Sequence, residues 1–207
     1  MGNTTSMLIE HIINGFHFLL VLILFILTLT GLDFVEPLYN FLDNSNKDGL
    51  LAIFILFLPF VYTLGLIMDN FVDDVIFKRK EQQIKSSILK DSESARKLIL
   101  LSGDDNQGRQ LDYIRTKIRI TRSTTVSFAL ITFLSLVFTA TRLAPPVLQQ
   151  EHLSLLLCVE LLIGPSLTLL GYWSWKKNTE TFCRRVANGF AILEQRNEYN
   201  NKTTVGK

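Results

Sequence analysis

Four long blocks of this sequence exclude charge almost completely, and that constrains the fold more than any other feature. They cover about residues 12–32, 50–68, 123–143 and 153–175. A soluble helix or strand keeps a wet face, so charge recurs along it. Here that face is missing. Each block has about 19 to 23 residues, enough to cross a hydrocarbon layer of about 30 Å at about 1.5 Å per residue. Lipid offers the backbone no hydrogen-bond partners, so such blocks are expected to be helices. The chain therefore reads as an all-α integral membrane protein with four transmembrane helices.

Two blocks need a further argument. The third contains eight Ser or Thr before Arg142, and these can bond back to carbonyls of their own helix. The fourth carries Glu160. An acidic residue near the centre of a span costs about 3 kcal/mol, and each Leu, Ile or Val returns about 0.3 to 0.6 kcal/mol. The surrounding leucines, from Leu153 to Leu170, offset it.

Orientation follows from Lys and Arg. The net charge is only +2, yet 19 of the 21 basic residues fall in the 70–122 loop and the tail after Trp175. The other two connections hold only Lys47 and Arg142. The positive-inside rule then places loop, tail and both termini in the cytoplasm of a cell inner membrane. The first block lacks a basic leader and a small-residue cleavage site, so it is not read as a signal peptide. The opening Met-Gly-Asn-Thr-Thr-Ser fits a myristoylation pattern but would add little to four spans. Cys158 and Cys183 are expected in bilayer and reducing cytoplasm, so no disulfide is expected.

With no outer segment large enough to fold, the extramembrane mass is the 70–122 loop and the 176–207 tail. Leu111, Ile114 and Ile118 recur on one helix face, and Phe182, Val186 and Phe190 do the same in the tail. Ile84, Ile88, Leu98 and Leu101 add apolar positions, and Gly103–Gly108 reads as a breaker. This pattern predicts a cytoplasmic helical hairpin extending spans 2 and 3.

Several polar groups could carry function. Glu160, an ionisable residue within a span, could line a cation path or proton relay. Alternatively it bonds to a hydroxyl of span 3 or pairs with Arg142. Thr132, Ser135 and Thr139 form a polar stripe on span 3 that suits close helix packing or a pore lining. Arg115, Lys117, Arg119 and Arg122, within YIRTKIRITR, form a basic cytoplasmic surface read as meeting anionic lipid headgroups. No nucleic-acid motif is present, so direct nucleic-acid binding is not expected. Asp69, Asp73 and Asp74 are read as partners for nearby Arg or Lys, with cation binding the alternative. Trp173 and Trp175 read as interfacial anchors. The three histidines are scattered, and no nucleophile–base pair, phosphate loop or metal-ligand spacing is legible. No catalytic residue, cofactor or metal is expected.

Four spans in about 200 residues, with the basic YIRTKIRITR loop and no enzyme signature, resemble the small membrane components of prokaryotic anti-phage systems, such as the membrane subunit of the Kiwa system. The likeness covers the whole chain as architecture and carries over no functional residue. It implies a homo-oligomer that senses infection and recruits a cytoplasmic partner. The residues themselves point to a non-enzymatic scaffold or sensor with a cytoplasmic protein partner. A homo-oligomeric ion-conducting pore or membrane-disrupting effector is the alternative.

Overall fold

A computed structural model of the chain describes residues 2–32, 37, 47–90, 93–143 and 150–205. The acidic connection between the first two spans and the Pro145-Pro146 link lie largely outside these residues. Every regular element among the described residues is helical. Helix α1 runs Gly2–Thr30 and α2 runs Lys47–Phe71. A π-helical segment, Val72–Phe77, joins α2 without a break to α3, Lys78–Ile88. Then come α4 (Ala95–Ser102), α5 (Asp105–Arg142) and α6 (Gln150–Val205). Among the described residues, four helices are long and apolar enough to cross a membrane. They contain the four apolar blocks.

Helix α5 has 38 residues and α6 has 56, or about 57 Å and about 84 Å of continuous helix. Each carries one apolar block and continues far beyond it. The boundary between α4 and α5 is set by local chemistry. Gly103 ends α4 with a left-handed φ of 61°, a conformation that costs glycine nothing. Asp104 then caps α5 by accepting from the Asn106 amide at 2.9 Å. Ser94 caps α4 in the same way through the Lys97 amide. The break is narrower than the sequence implies, because Gly108 already lies within α5.

The apolar helices form an open row. Helix α1 packs between α2 and α5, and α6 packs on the far side of α5. Small residues bring the backbones close. A Cβ at Gly15 would overlap the Val61 carbonyl, and one at Gly65 would overlap the carbonyl of His11. At the other contact, Gly164 receives Thr132 and Gly171 receives Thr125. Glycine at such positions allows a van der Waals fit that a larger residue forbids. The outer flank of α6 stays bare, with Leu162 72% and Leu169 67% exposed. Water would penalise that surface heavily, whereas lipid tails would not.

The hydrophobic cluster lies elsewhere, toward the basic ends of the helices. Met68, Val72, Phe77, Leu98, Leu111, Ile114, Ile118, Trp175, Phe182 and Val186 pack together there. The three-residue stripe on α5 and the Phe182, Val186, Phe190 stripe on α6 are both buried, as their spacing predicts. Helix α3 lies mainly against α6. The π-helical turn accounts for this change of neighbour. Its i→i+5 bonding adds a residue to the turn and rotates the next helical segment by about 100°. Val61 and Gly65 thus meet α1, while Phe77 meets Trp175 with ring centroids 4.5 Å apart. Trp175 is therefore a core residue with no exposed surface, not an interfacial anchor, whereas Trp173 is 59% exposed. Cys158 and Cys183 are free thiols. Burial pushes the Cys183 thiol up.

The tight α1–α2 crossing yields a direct test. Gly65→Ala should destabilise the detergent-solubilised protein by about 1–3 kcal/mol, the range for overpacking. Gly49→Ala, where an added Cβ meets nothing within 4 Å, should leave the unfolding midpoint unchanged. Equal midpoints for the two variants would refute this crossing.

Candidate functional site

Polar side chains gather where α1, α2 and α5 meet, at the Glu10, Asp69 and Arg122 ends of their apolar segments. Arg122 of α5 is the centre, only 3% exposed. It donates to Asp69 at 3.0 Å and to Asp73, and lies 3.6 Å from Glu81. Glu81 also pairs with Lys85 at 2.6 Å. One guanidinium thus ties α2, the π-helical turn and α3 to α5. Its planar fork of five donors suits several carboxylates at once, where an ammonium would serve as a point charge. The expected basic surface loses Arg122 for this reason: its charge is consumed internally. The pairing expected for the acidic group is present, since Asp69 and Asp73 meet Arg122 and Asp74 meets Lys78 at 3.2 Å.

Beside this node lies a second polar group, assembled where α1 crosses α2. Glu10 of α1 has no exposed surface, and Asn14, one turn further on, is 1% exposed. Donor atoms of Glu10, His11 and Asp69 all lie within 4.8 Å of one another. Both Glu10 carboxylate oxygens, His11 Nδ1 and both polar atoms of the Asn14 side chain are buried without a hydrogen bond. The nearest cation to Glu10 is Arg119, whose Nη1 is 3.9 Å away, beyond hydrogen-bond reach. The His11 ring meets Tyr62 edge-on at 5.4 Å. Three donors of types that bind metals, from two helices, could hold an ion here.

Glu160 occupies a second polar site, between α5 and α6. Ser135 Oγ donates to its Oε1 at 2.7 Å and Thr139 Oγ1 does so at 2.9 Å. Thr132, on the same stripe, spends its hydroxyl on the Phe128 carbonyl and packs against Gly164. The stripe therefore serves helix pairing. Arg142 is not the partner of Glu160. It caps α1 instead, donating to the carbonyls of Thr28 and Leu29, where the end of a helix attracts a cation. Glu160 Oε2 stays buried without a partner, facing a groove of about 260 Å³ lined by Phe128, Ile131 and Ile163.

Arg115 and Lys117 remain exposed. Arg115 lies over the Phe182 ring at 5.4 Å and Lys117 over Tyr113 at 4.5 Å. A further polar groove, of about 520 Å³ between α3 and α6, is lined by Lys80, Lys176 and Arg184 together with Glu180, which pairs with Lys176 at 4.0 Å.

With family models, curated proteins and solved structures alike, comparison of the chain finds no match. The site rests on its geometry alone. Glu10 and Asn14 escape a reading of the sequence because each is a lone polar residue in or beside an apolar block. Their spacing of four, which puts both on one helix face, is the signal that could have found them.

Breaking the Arg122 node should cost far more than removing a surface charge. Arg122→Leu leaves Asp69 buried without its cation and should destabilise by about 3–5 kcal/mol. Arg115→Ala should cost about 1 kcal/mol or less. Unfolding in detergent micelles measures both, and similar losses for the two would contradict a buried node.

Proposed function

We propose that this chain is a non-enzymatic, homo-oligomeric scaffold or sensor of the inner membrane, of the kind found in prokaryotic anti-phage systems. It holds a cytoplasmic helical body, built on the extensions of spans 2 and 3, for a soluble protein partner to bind. The observation that carries this reading is the position of the hydrophobic cluster. It joins α2 through α6 at the basic ends of the spans, while the apolar segments themselves form an open row. Folding effort is thus concentrated in a body beside the membrane, and the bilayer part keeps large apolar flanks for lipid or further copies. Helices α5 and α6 run unbroken from span to body, so a tilt within the membrane moves the body as a lever. Nearly all of the chain's Lys and Arg lie in or beside that body, which supports a cytoplasmic location under the positive-inside rule. Anionic headgroups are the natural contacts of Lys117 and of the Lys80–Arg184 groove.

Leu100 and Leu101 of α4, 76% and 60% exposed on the body, offer the partner an apolar contact. Leu100→Glu with Leu101→Glu should cut recovery of the soluble partner at least tenfold in native co-purification, with membrane insertion intact. Recovery of the unaltered tagged chain with no soluble protein would sink the scaffold reading. So would labelling of an Asn106→Cys thiol by an impermeant maleimide in intact cells.

The second reading is an ion-conducting oligomer, favoured by the unpartnered Glu160 oxygen on its groove. Under it, Glu160→Gln should change cation conductance in single-channel recordings from liposomes. An unchanged conductance removes Glu160 from the path, and no conductance at all removes the reading.

A further inference from the structure

The cluster around Glu10 carries a charge imbalance that either a proton or a bound cation would relieve. Four carboxylates (Glu10, Asp69, Asp73 and Glu81) meet three cations: Arg119, Arg122 and Lys85. One negative charge is left over, and Glu10 is where compensation is poorest. Its carboxylate has no exposed surface, and apart from the nearby Thr116 hydroxyl neither oxygen has a hydrogen-bond donor in reach. A buried charge with so few hydrogen bonds is costly unless a proton neutralises it or another ion joins it.

The surroundings specify what kind of ion. Asp69 gives Arg122 and Ser123 only its Oδ1, so its second oxygen is available. His11 Nδ1 is buried with no partner. The Asn14 side chain, wholly buried and unbonded, stands one turn from Glu10 on the same helix face, a carbonyl oxygen in reserve. Donor atoms of Glu10, His11 and Asp69 already lie within 4.8 Å of one another. Small side-chain rotations would bring each to about 2.1 Å from a shared ion, the usual distance for imidazole nitrogen and carboxylate oxygen. An imidazole with two carboxylates suits first-row transition metals, whereas Ca²⁺ and Mg²⁺ favour all-oxygen sets. Arg122 need not move, since Asp73 and Glu81 still face it. Arg119, too far for a hydrogen bond, does not fill the gap.

We propose that Glu10, His11 and Asp69 bind one divalent transition-metal ion, such as Zn²⁺, and that this ion clamps α1 to α2 beside Arg122. The ion supplies the missing positive charge and fixes the crossing that Gly15 and Gly65 allow. It gives the membrane row a ligand-dependent joint at the edge of the helical body.

The test uses the full chain in detergent, stripped with a chelator, dialysed against Zn²⁺ and assayed for metal by mass spectrometry. Wild type should retain one Zn²⁺ per chain, and its unfolding temperature should rise on reloading. His11→Ala and the Glu10→Gln, Asp69→Asn double variant should lose the ion and that rise. His17→Ala and His152→Ala, at the other two histidines, should retain both. Each variant is first checked for wild-type elution on size exclusion. Wild type that retains no Zn²⁺ would overturn the proposal, with a proton on Glu10 then the compensating charge. Wild-type stoichiometry in His11→Ala would overturn it equally.

Discussion

The buried guanidinium of Arg122 holds together parts of the chain that nothing else would bring into register. Helix α2, the π-helical turn and α3 present Asp69, Asp73 and Glu81 to it in succession. These groups belong to one long helical path, and they are useful to Arg122 only if that path turns by the right amount. The π-helical turn supplies the rotation. It keeps both aspartates on α5 and then swings Phe77 onto α6. An ion pair so deeply buried returns little net stability against a well-packed apolar alternative. Its value is specificity: apolar faces pair with one another in many registers, whereas a buried cation tolerates only the one that satisfies it.

Around this node the molecule divides its labour by solvent. At the basic ends, large side chains such as Trp175, Leu98 and Phe182 are driven together as in any water-soluble core. The apolar segments are long and apolar enough to cross a membrane, and in lipid that drive would be absent, because a leucine loses nothing by facing a lipid tail. Contacts there rest on shape and on polar pairing. Gly15 against Val61 and Gly65 against His11 supply the first, and Glu160 with Ser135 and Thr139 supplies the second. An open row rather than a closed bundle follows from those local contacts. Each neighbouring pair has its own adhesive, and no apolar core pulls the ends of the row together.

Glu160 and Glu10 show how differently one residue type can be used along the same chain. Glu160 accepts two hydroxyls from α5, and its environment is that of a helix-to-helix fastener. Glu10 has at most the Thr116 hydroxyl as a donor, although it is the more deeply buried of the two. The difference lies in the neighbours across each interface. Opposite Glu160 stand short hydroxyl side chains at the right spacing. Opposite Glu10 stand an aspartate and a pair of arginines, of which one is already engaged.

Much of the fold is legible in the residues themselves. The four apolar blocks, the α5 and α6 stripes and the Gly103–Asp104 break follow from hydropathy, periodicity and capping. These are properties of a segment and its immediate flanks. The pairing of Asp69 and Asp73 with nearby basic residues is legible in kind, though not in partner. Tertiary structure decided what depends on residues far apart in sequence. Arg122 became a core group instead of a surface charge, because three carboxylates more than 40 positions away converge on it. Trp175 became core instead of anchor, because the π-helical turn delivers Phe77 to it. Glu10, His11 and Asp69 became neighbours only when α1 crossed α2 at its glycines. Hydropathy acts along a chain, but charge and coordination act through space, and only the folded arrangement sets those distances.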